Sequence, residues 1–279
     1  MSYRIVGDSC SDPTEAMKQD PHFRFVPLTL IVGDTHVTDD ESFDQKAFLK
    51  LVAESPEGPK TACPSPEQYL REFECDADMV FAVTLSSKLS GSYQSAVIAK
   101  QMYEEHHGED KKIFIVDSLS AGCGQTNICL RLQELCEEGK TFEEIVETIT
   151  EYRDGMKTLF VLESLDALKK NGRLTGLASV IVTVLNIKLV MAGIGGVIHK
   201  LGQERGIDRA LKKMVSIAVN EGTDFEKKRL CITNVNCRER AEKVRDMLTS
   251  QVKFRDAVIV DAAGVSTAYA SDGGIIVTF

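Results

Sequence analysis

The chain alternates short apolar runs with loops rich in Ser, Gly and Asp, and each loop leads into a helix signal. Tyr3-Arg4-Ile5-Val6 is followed by Gly7-Asp8-Ser9-Cys10-Ser11. Met79 to Leu85 is followed by Ser86-Ser87-Lys88-Leu89-Ser90-Gly91-Ser92-Tyr93, and Lys112 to Val116 by Asp117-Ser118-Leu119-Ser120-Ala121-Gly122. Apolar runs of that length bounded by turn residues read as strands, and strands alternating with helices predict a mainly parallel sheet. Helix starts are marked by cap-plus-Pro patterns: Asp12-Pro13-Thr14-Glu15, with Asp12 as the expected cap, and Ser65-Pro66-Glu67-Gln68. Phe23 to Val32 is a further apolar run, broken by Pro27, which cannot donate to a ladder and so predicts an edge or a bulge. Gly33-Asp34 predicts a hairpin turn, with Thr35-His36-Val37 as the return strand.

The pattern changes after about residue 155. The expected fold class is α/β: an N-terminal α/β domain over 1–155, with a small hairpin insertion near 23–60, packed on a C-terminal α/β (α+β) domain over 156–279. A ligand cleft is expected between them. No low-complexity linker separates the halves.

Composition narrows the function. The chain has 279 residues, with 33 Lys and Arg against 42 Asp and Glu, a net charge of −9. Nucleic-acid binders usually present a strongly basic face, so that class is disfavoured. The 43% apolar content excludes a disordered chain. No secretory leader pattern opens the sequence, and the eight cysteines show no Cys-x-x-Cys pairing. Free thiols in a reducing cytoplasm are the expectation.

Leu177 to Ile198 is long and apolar enough to suggest a membrane span. Asn186 and Lys188 at its middle argue against insertion, since a central Lys costs roughly 2.5–3.5 kcal/mol. A buried helix, a turn at Gly193 to Gly196 and a buried strand are expected instead, with no stable membrane insertion.

Catalytic machinery is hard to assemble from these residues. Gly122-x-Gly124 lacks the third glycine of a dinucleotide fingerprint, because Asn127 stands there, and no Walker A sequence is present. None of the five histidines sits in a nucleophile elbow or a metal motif. Cys63 before Pro64 has no implied base, and a small packing thiol is its expected role. Asp8, Asp12 and Asp117 are placed as loop and cap acceptors rather than cation ligands. No metal and no cofactor are expected. The loops at Ser90-Gly91-Ser92 and Gly122-Cys123-Gly124 precede helices, where backbone N–H groups favour an anion; turn formation alone also explains them.

One ordered set of motifs is more specific. Asp8-Ser9-x-x-Asp12, Val26-Pro27-Leu28, Thr61-Ala62-Cys63-Pro64-Ser65 and Ser86-Ser87-Lys88-Leu89-Ser90-Gly91-Ser92-Tyr93 occur in this order. Val116-Asp117-Ser118, Leu165-x-x-Leu168-Lys169-Lys170-Asn171-Gly172-Arg173 and Leu185-Asn186-Ile187-Lys188 follow. Together they resemble the DegV family over essentially the whole chain. The resemblance implies a non-enzymatic, fatty-acid-binding protein that buries a long acyl chain, such as palmitate, stearate or oleate, between its domains. In some members it implies presentation of the acid to a separate fatty-acid kinase, which makes acyl phosphate.

Carried onto this sequence, the carboxylate falls to Thr61, Ser90, Gly91 and Ser92. The cleft and tunnel fall to Ser9, Cys63, Ser118, Arg173, Ile187, Arg205 and Tyr269, with Leu177 to Val190 as a tunnel wall. The sequence departs from the family at several points. Asn171 replaces the first Gly of Gly-Gly-Arg, and Lys188-Leu189 replaces Lys-Pro. Tyr269-Ala270-Ser271-Asp272-Gly273 stands where the family has His-x-Gly-Pro-Gly. Tail burial does not need that His, but kinase service is expected to suffer, and Asp272 adds negative charge where a phosphate would arrive. The alternative from a different class is a small anionic-ligand-binding protein or an enzyme using the same cleft.

Overall fold

The computed structural model describes residues 2–174 and 186–279. In chain order the first half runs β1 (Tyr3–Asp8), a 3-10 turn (Ser9–Ser11), α1 (Glu15–Gln19), β2 (Phe23–Val26), β3 (Thr29–Val32), β4 (Thr35–Thr38), α2 (Gln45–Glu54), β5 (Lys60–Ala62), α3 (Pro66–Phe73), β6 (Met79–Thr84), α4 (Ser92–His107), β7 (Lys112–Asp117), α5 (Cys123–Glu137) and α6 (Phe142–Gly155). The second half runs β8 (Thr158–Val161), α7 (Asp166–Lys170), β9 (Ile187–Ile194), β10 (Val197–Arg205), α8 (Ile207–Glu221), β11 (Arg229–Asn234), α9 (Arg238–Thr249), β12 (Asp256–Asp261), α10 (Gly264–Ala270) and β13 (Ile275–Thr278).

The first sheet is parallel throughout, in the order β2-β1-β6-β7. Helices cover both faces, so β6 is buried along its whole length and reads as an unbroken apolar run. Alternate residues still go to opposite sides. Ile5, Phe81 and Val83 join Ile128, Leu132, Ile145 and Ile149 of α5 and α6. Val6, Val80 and Ala82 join Tyr69, Phe73, Ala96 and Ala99 of α3 and α4.

The second sheet has six strands, in the order β10-β9-β8-β13-β11-β12; only β11 and β12 pair in parallel. One face packs Leu159, Val161, Val190 and Val277 against α8 and α9. The other presents Phe160, Met191, Ile198 and Ile276 towards the first half of the chain. This is the expected class, a parallel α/β half packed on a mixed second half.

The Phe23 to Val32 run divides between sheets. β2 joins the parallel sheet, while β3 pairs antiparallel with β4 and β5 in a third, three-stranded sheet. Pro27 stands between them, where its missing N–H is not needed by either ladder.

The apolar stretch is also resolved differently from expectation. Its first part, from 177 to 185, lies outside the described residues. The remainder is a β-hairpin: β9 and β10 pair antiparallel around Gly195 and Gly196, both at positive φ. Lys188 is satisfied by Glu163, at 2.5 Å. Among the described residues no helix is long and apolar enough to cross a membrane.

Candidate functional site

A cavity of about 810 Å³, its open mouth included, lies between the two sheets. The loops beyond the C-terminal ends of β1, β6 and β7 form its roof, through Cys10, Leu85, Leu89 and Ala121 among others. That is where an α/β sheet places its crevice. Its floor is the second sheet, where Thr158, Phe160 and Leu162 face the cavity at the two-residue period of a strand. Four residues along a strand is about 13 Å, which sets a minimum for the length of the floor.

The walls are mostly apolar, and polar groups collect at the Leu162 end. Tyr269 Oη and Thr61 Oγ1 lie 3.0 Å apart across it. Arg173 lines the same cavity, with Nε donating to the carbonyl of Leu89 at 3.1 Å. Ser90 also lines it, and its Oγ accepts the N–H of Ser92 at 3.2 Å.

Of the residues expected to hold a carboxylate, Thr61 and Ser90 are therefore on the cavity wall. Gly91 is exposed at the start of α4, where a methyl would come 3.1 Å from Cys63 Sγ. Ser92 is turned elsewhere. It is fully buried, its Oγ donates to Asp8 Oδ2 at 2.5 Å and lies 2.6 Å from Tyr69 Oη. The hydroxyl serves the N-terminal core and is absent from the cavity wall.

Of the expected cleft residues, Arg173 and Tyr269 line the cavity and the others do not. Ser9 Oγ accepts the N–H of Leu28 at 3.0 Å, and Ser118 is buried with its hydroxyl on the Ser120 carbonyl at 3.0 Å. Cys63 is exposed. Ile187 and Arg205 pair with each other at the far end of the β9–β10 hairpin, away from the wall, because each hairpin residue's place is fixed by the register from the Gly195 turn. Arg205 is exposed there. Most of the expected wall from Leu177 to Val190 lies outside the described residues. Gly122-Cys123-Gly124 does not face an anion either: the Cys123 N–H donates to Thr233 Oγ1 at 2.9 Å, joining the halves.

Beneath the roof lie three buried carboxylates that no motif marked as a unit. Asp8 accepts from Leu85 N, Gln125 Nε2, Cys10 N and Ser92 Oγ. Asp12 was expected to cap α1, but Thr14 does so, accepting from Met17 N at 3.2 Å. Asp12 instead crosses to the second half, where it accepts from Thr233 Oγ1, Ser266 Oγ and the N–H of Ala263, each at 2.8 Å. Asp39 accepts the N–H groups of Gly264 and Val265, at 2.7 and 3.0 Å.

Burial raises all three. It pushes Asp12 up to about 7 and Asp39 up to about 6, and raises Asp8 although four hydrogen bonds oppose it. The Asp-x-x-x-Asp spacing of Asp8 and Asp12 was the available signal. Asp39 sits in the polar run Thr38-Asp39-Asp40-Glu41 and looks like a solvated charge. No cluster suited to a metal ion occurs among the described residues.

The chain is similar to known sequences and solved structures along its whole length. A sequence model for the DegV family, described as uncharacterised proteins, matches residues 2–279. A DegV domain-containing protein of Streptococcus pneumoniae is 36% identical over 289 residues, covering 100% of this chain and 99% of that protein. A crystal structure of a DegV family protein from Ruminococcus gnavus, with vaccenic acid, is 44% identical and superposes with a TM-score of 0.96, each chain covered completely. The Fatty Acid Kinase (Fak) B3 protein of Streptococcus pneumoniae, loaded with linoleic acid, is 34% identical at a TM-score of 0.92, covering 100% of this chain and 99% of that one.

Proposed function

Because the chain belongs to the DegV family along its whole length, we propose that it binds a long-chain fatty acid in the cavity between its two sheets. The observation that carries this reading is an apolar cavity whose polar wall groups, Thr61, Ser90, Arg173 and Tyr269, gather at one end. The acid's carboxylate meets hydroxyl donors and a guanidinium there, and the first turn of α4 lies beside it. The other polar wall groups are engaged within the protein: Ser266 with Asp12, and Ser120 with Thr158 at 2.8 Å.

Electrostatics favours the same orientation. Asp8, Asp12 and Asp39 lie behind Cys10 and Ser266 and, whether ionised or protonated, offer a carboxylate no cation on that side. Each methylene buried contributes ~0.8 kcal/mol of gross transfer free energy, which suits an acyl tail to these walls better than a small phosphorylated ligand. The protein acts on this reading as a carrier, not an enzyme, and needs no cofactor. Its likeness to the Fak B3 protein supports a fatty-acid kinase as its partner. All eight cysteines stand as thiols, which fits a cytoplasmic setting.

Native mass spectrometry of the purified protein is the test. It is expected to show an acyl mass that delipidation removes and oleate restores. A bare polypeptide mass with no uptake of oleate or palmitate would overturn the reading. Thr61→Val is expected to weaken oleate binding about tenfold or more, one hydrogen bond to a charged group being worth about 1.5 kcal/mol or more. Unchanged affinity would remove the carboxylate from that end.

A further inference from the structure

At the Thr158 end of the floor, away from Leu162, the cavity is lined by a residue in an unusual conformation. Leu119 lines the cavity at φ +50. A left-handed backbone is uncommon outside Gly, Asn and Asp, and it persists only where surroundings enforce it. Here Asp117 Oδ1 accepts the Leu119 N–H at 3.2 Å, and Ser118 Oγ accepts the Ser120 N–H at 3.1 Å. The turn so formed swings Leu119 over the floor of the second sheet.

The floor beneath it carries two glycines. Thr158, Gly193 and Ile198 pair across β8, β9 and β10, so all three lie on one face of the sheet. Gly193 carries no side chain in the middle of that row. A methyl there would stand 3.9 Å from the Leu119 carbonyl oxygen and 3.4 Å from Thr158 Cβ. At Gly196, also on the cavity wall, a methyl would come 3.1 Å from Leu119 Cδ2. Glycine inside a strand marks a close approach; at Gly193 it is by the Leu119 backbone, and at the turn residue Gly196 by the Leu119 side chain. Two hydrogen bonds join roof to floor at this end: Ser86 Oγ donates to the Gly196 carbonyl at 2.9 Å, and Ser120 and Thr158 share one at 2.8 Å.

We propose that Leu119, seated over Gly193 and Gly196, is the end-stop that sets how long an acyl chain the cavity accepts. This rests on the fatty-acid reading and adds to it the residue that measures the tail. The terminal methyl of a guest of the preferred length abuts the Leu119 side chain. A shorter guest leaves apolar wall uncovered, and a longer one has to displace the strained turn.

Two variants move the stop in opposite directions. Leu119→Gly removes the side chain and suits the positive φ. Gly193→Ala adds a methyl to the floor in ordinary contact with its neighbours, so the fold is retained. Binding of myristate, palmitate, stearate and arachidate is measured by titration calorimetry on delipidated protein. For Leu119→Gly the preference is expected to move towards longer chains, the arachidate-to-palmitate affinity ratio rising about tenfold, as two extra buried methylenes imply. For Gly193→Ala the myristate-to-stearate ratio is expected to rise by a similar factor. A general loss of stability would weaken all four acids together and would not reverse sign between variants. Fatty-acid binding with an unmoved profile in both variants, or with the same direction of shift in both, would overturn the end-stop alone. No binding of any of the four acids by the unmodified protein would overturn the fatty-acid reading with it.

Discussion

Asp12 is fully buried where the two halves meet, and its oxygens are satisfied by neutral donors: two hydroxyls and a backbone N–H. Burial raises its carboxyl to about 7. The folded protein therefore keeps a proton that the unfolded chain releases once the pH passes the ordinary aspartate value. Stability falls as pH rises through that window and levels off above about 7. Asp39 adds a term of the same sign up to about 6. The melting temperature is expected to decline between about pH 5 and 7. Asp12→Asn, whose amide still reaches both hydroxyls, is expected to flatten that decline. Scanning calorimetry across the window checks it, and a melting temperature that rises with pH in the unmodified protein would contradict it. The sequence concealed this role because Asp12-Pro13-Thr14-Glu15 also satisfies the helix-cap pattern. Local pattern could not show that Thr14 takes the cap while Asp12 serves Ala263, 251 positions away. Thr61 and Ser90 were legible because their motifs are contiguous with the strands and helices that position them. Ser92 was not, since its neighbour Ser90 faces the cavity while α4 turns Ser92 into the core.

Helix α10 carries Tyr269 to the cavity and is only seven residues long. A helix so short depends on its ends and its packing rather than on propensity. Asp39 supplies the N-terminal cap, and Gly264 admits it: a methyl there would lie 2.5 Å from Leu30 Cδ1 and 2.6 Å from Asp39 Oδ1. Asp39→Ala is expected to cost about 1–2 kcal/mol in urea unfolding, the usual worth of a cap. It is also expected to weaken oleate binding severalfold, because Tyr269 and Thr61 lose their fixed spacing. Unfolding curves and calorimetric affinity measure the two effects separately, and an unchanged affinity would detach Tyr269 from the cap. The expected central strand β6 appears in the structure because both of its faces are buried and its run is continuous. The β9–β10 hairpin was harder to read, since an apolar run crossed by Gly193, Gly195 and Gly196 suits a buried helix followed by a strand equally well.

At the scale of the molecule, the two halves are joined by α5 as well as by the buried carboxylates. Glu134 of α5 pairs with Arg229 at 2.6 Å and Arg255 at 2.8 Å, and Arg229 also holds Asp256 at 2.8 Å. A guest between the halves adds to this seam. Oleate at a hundredfold excess over its dissociation constant is expected to stabilise the protein by about 2.7 kcal/mol. Differential scanning fluorimetry of delipidated protein is expected to show a rise of several degrees with oleate, and none with octanoate at the same concentration. An equal response to both would show that the long cavity floor contributes nothing to affinity. The two-part architecture followed from the alternation of elements, but the cavity did not, because its walls come from residues as far apart as Cys10 and Ile276.

That spread gives the position of β13 a temporal meaning. β13 comes last of the elements in the sequence yet lies inside the second sheet, between β8 and β11. During synthesis the floor stays split until Ile276 has emerged and slotted into the gap. A chain in which β13 is not yet seated has an incomplete floor, so uptake of a guest waits on the assembly of this sheet.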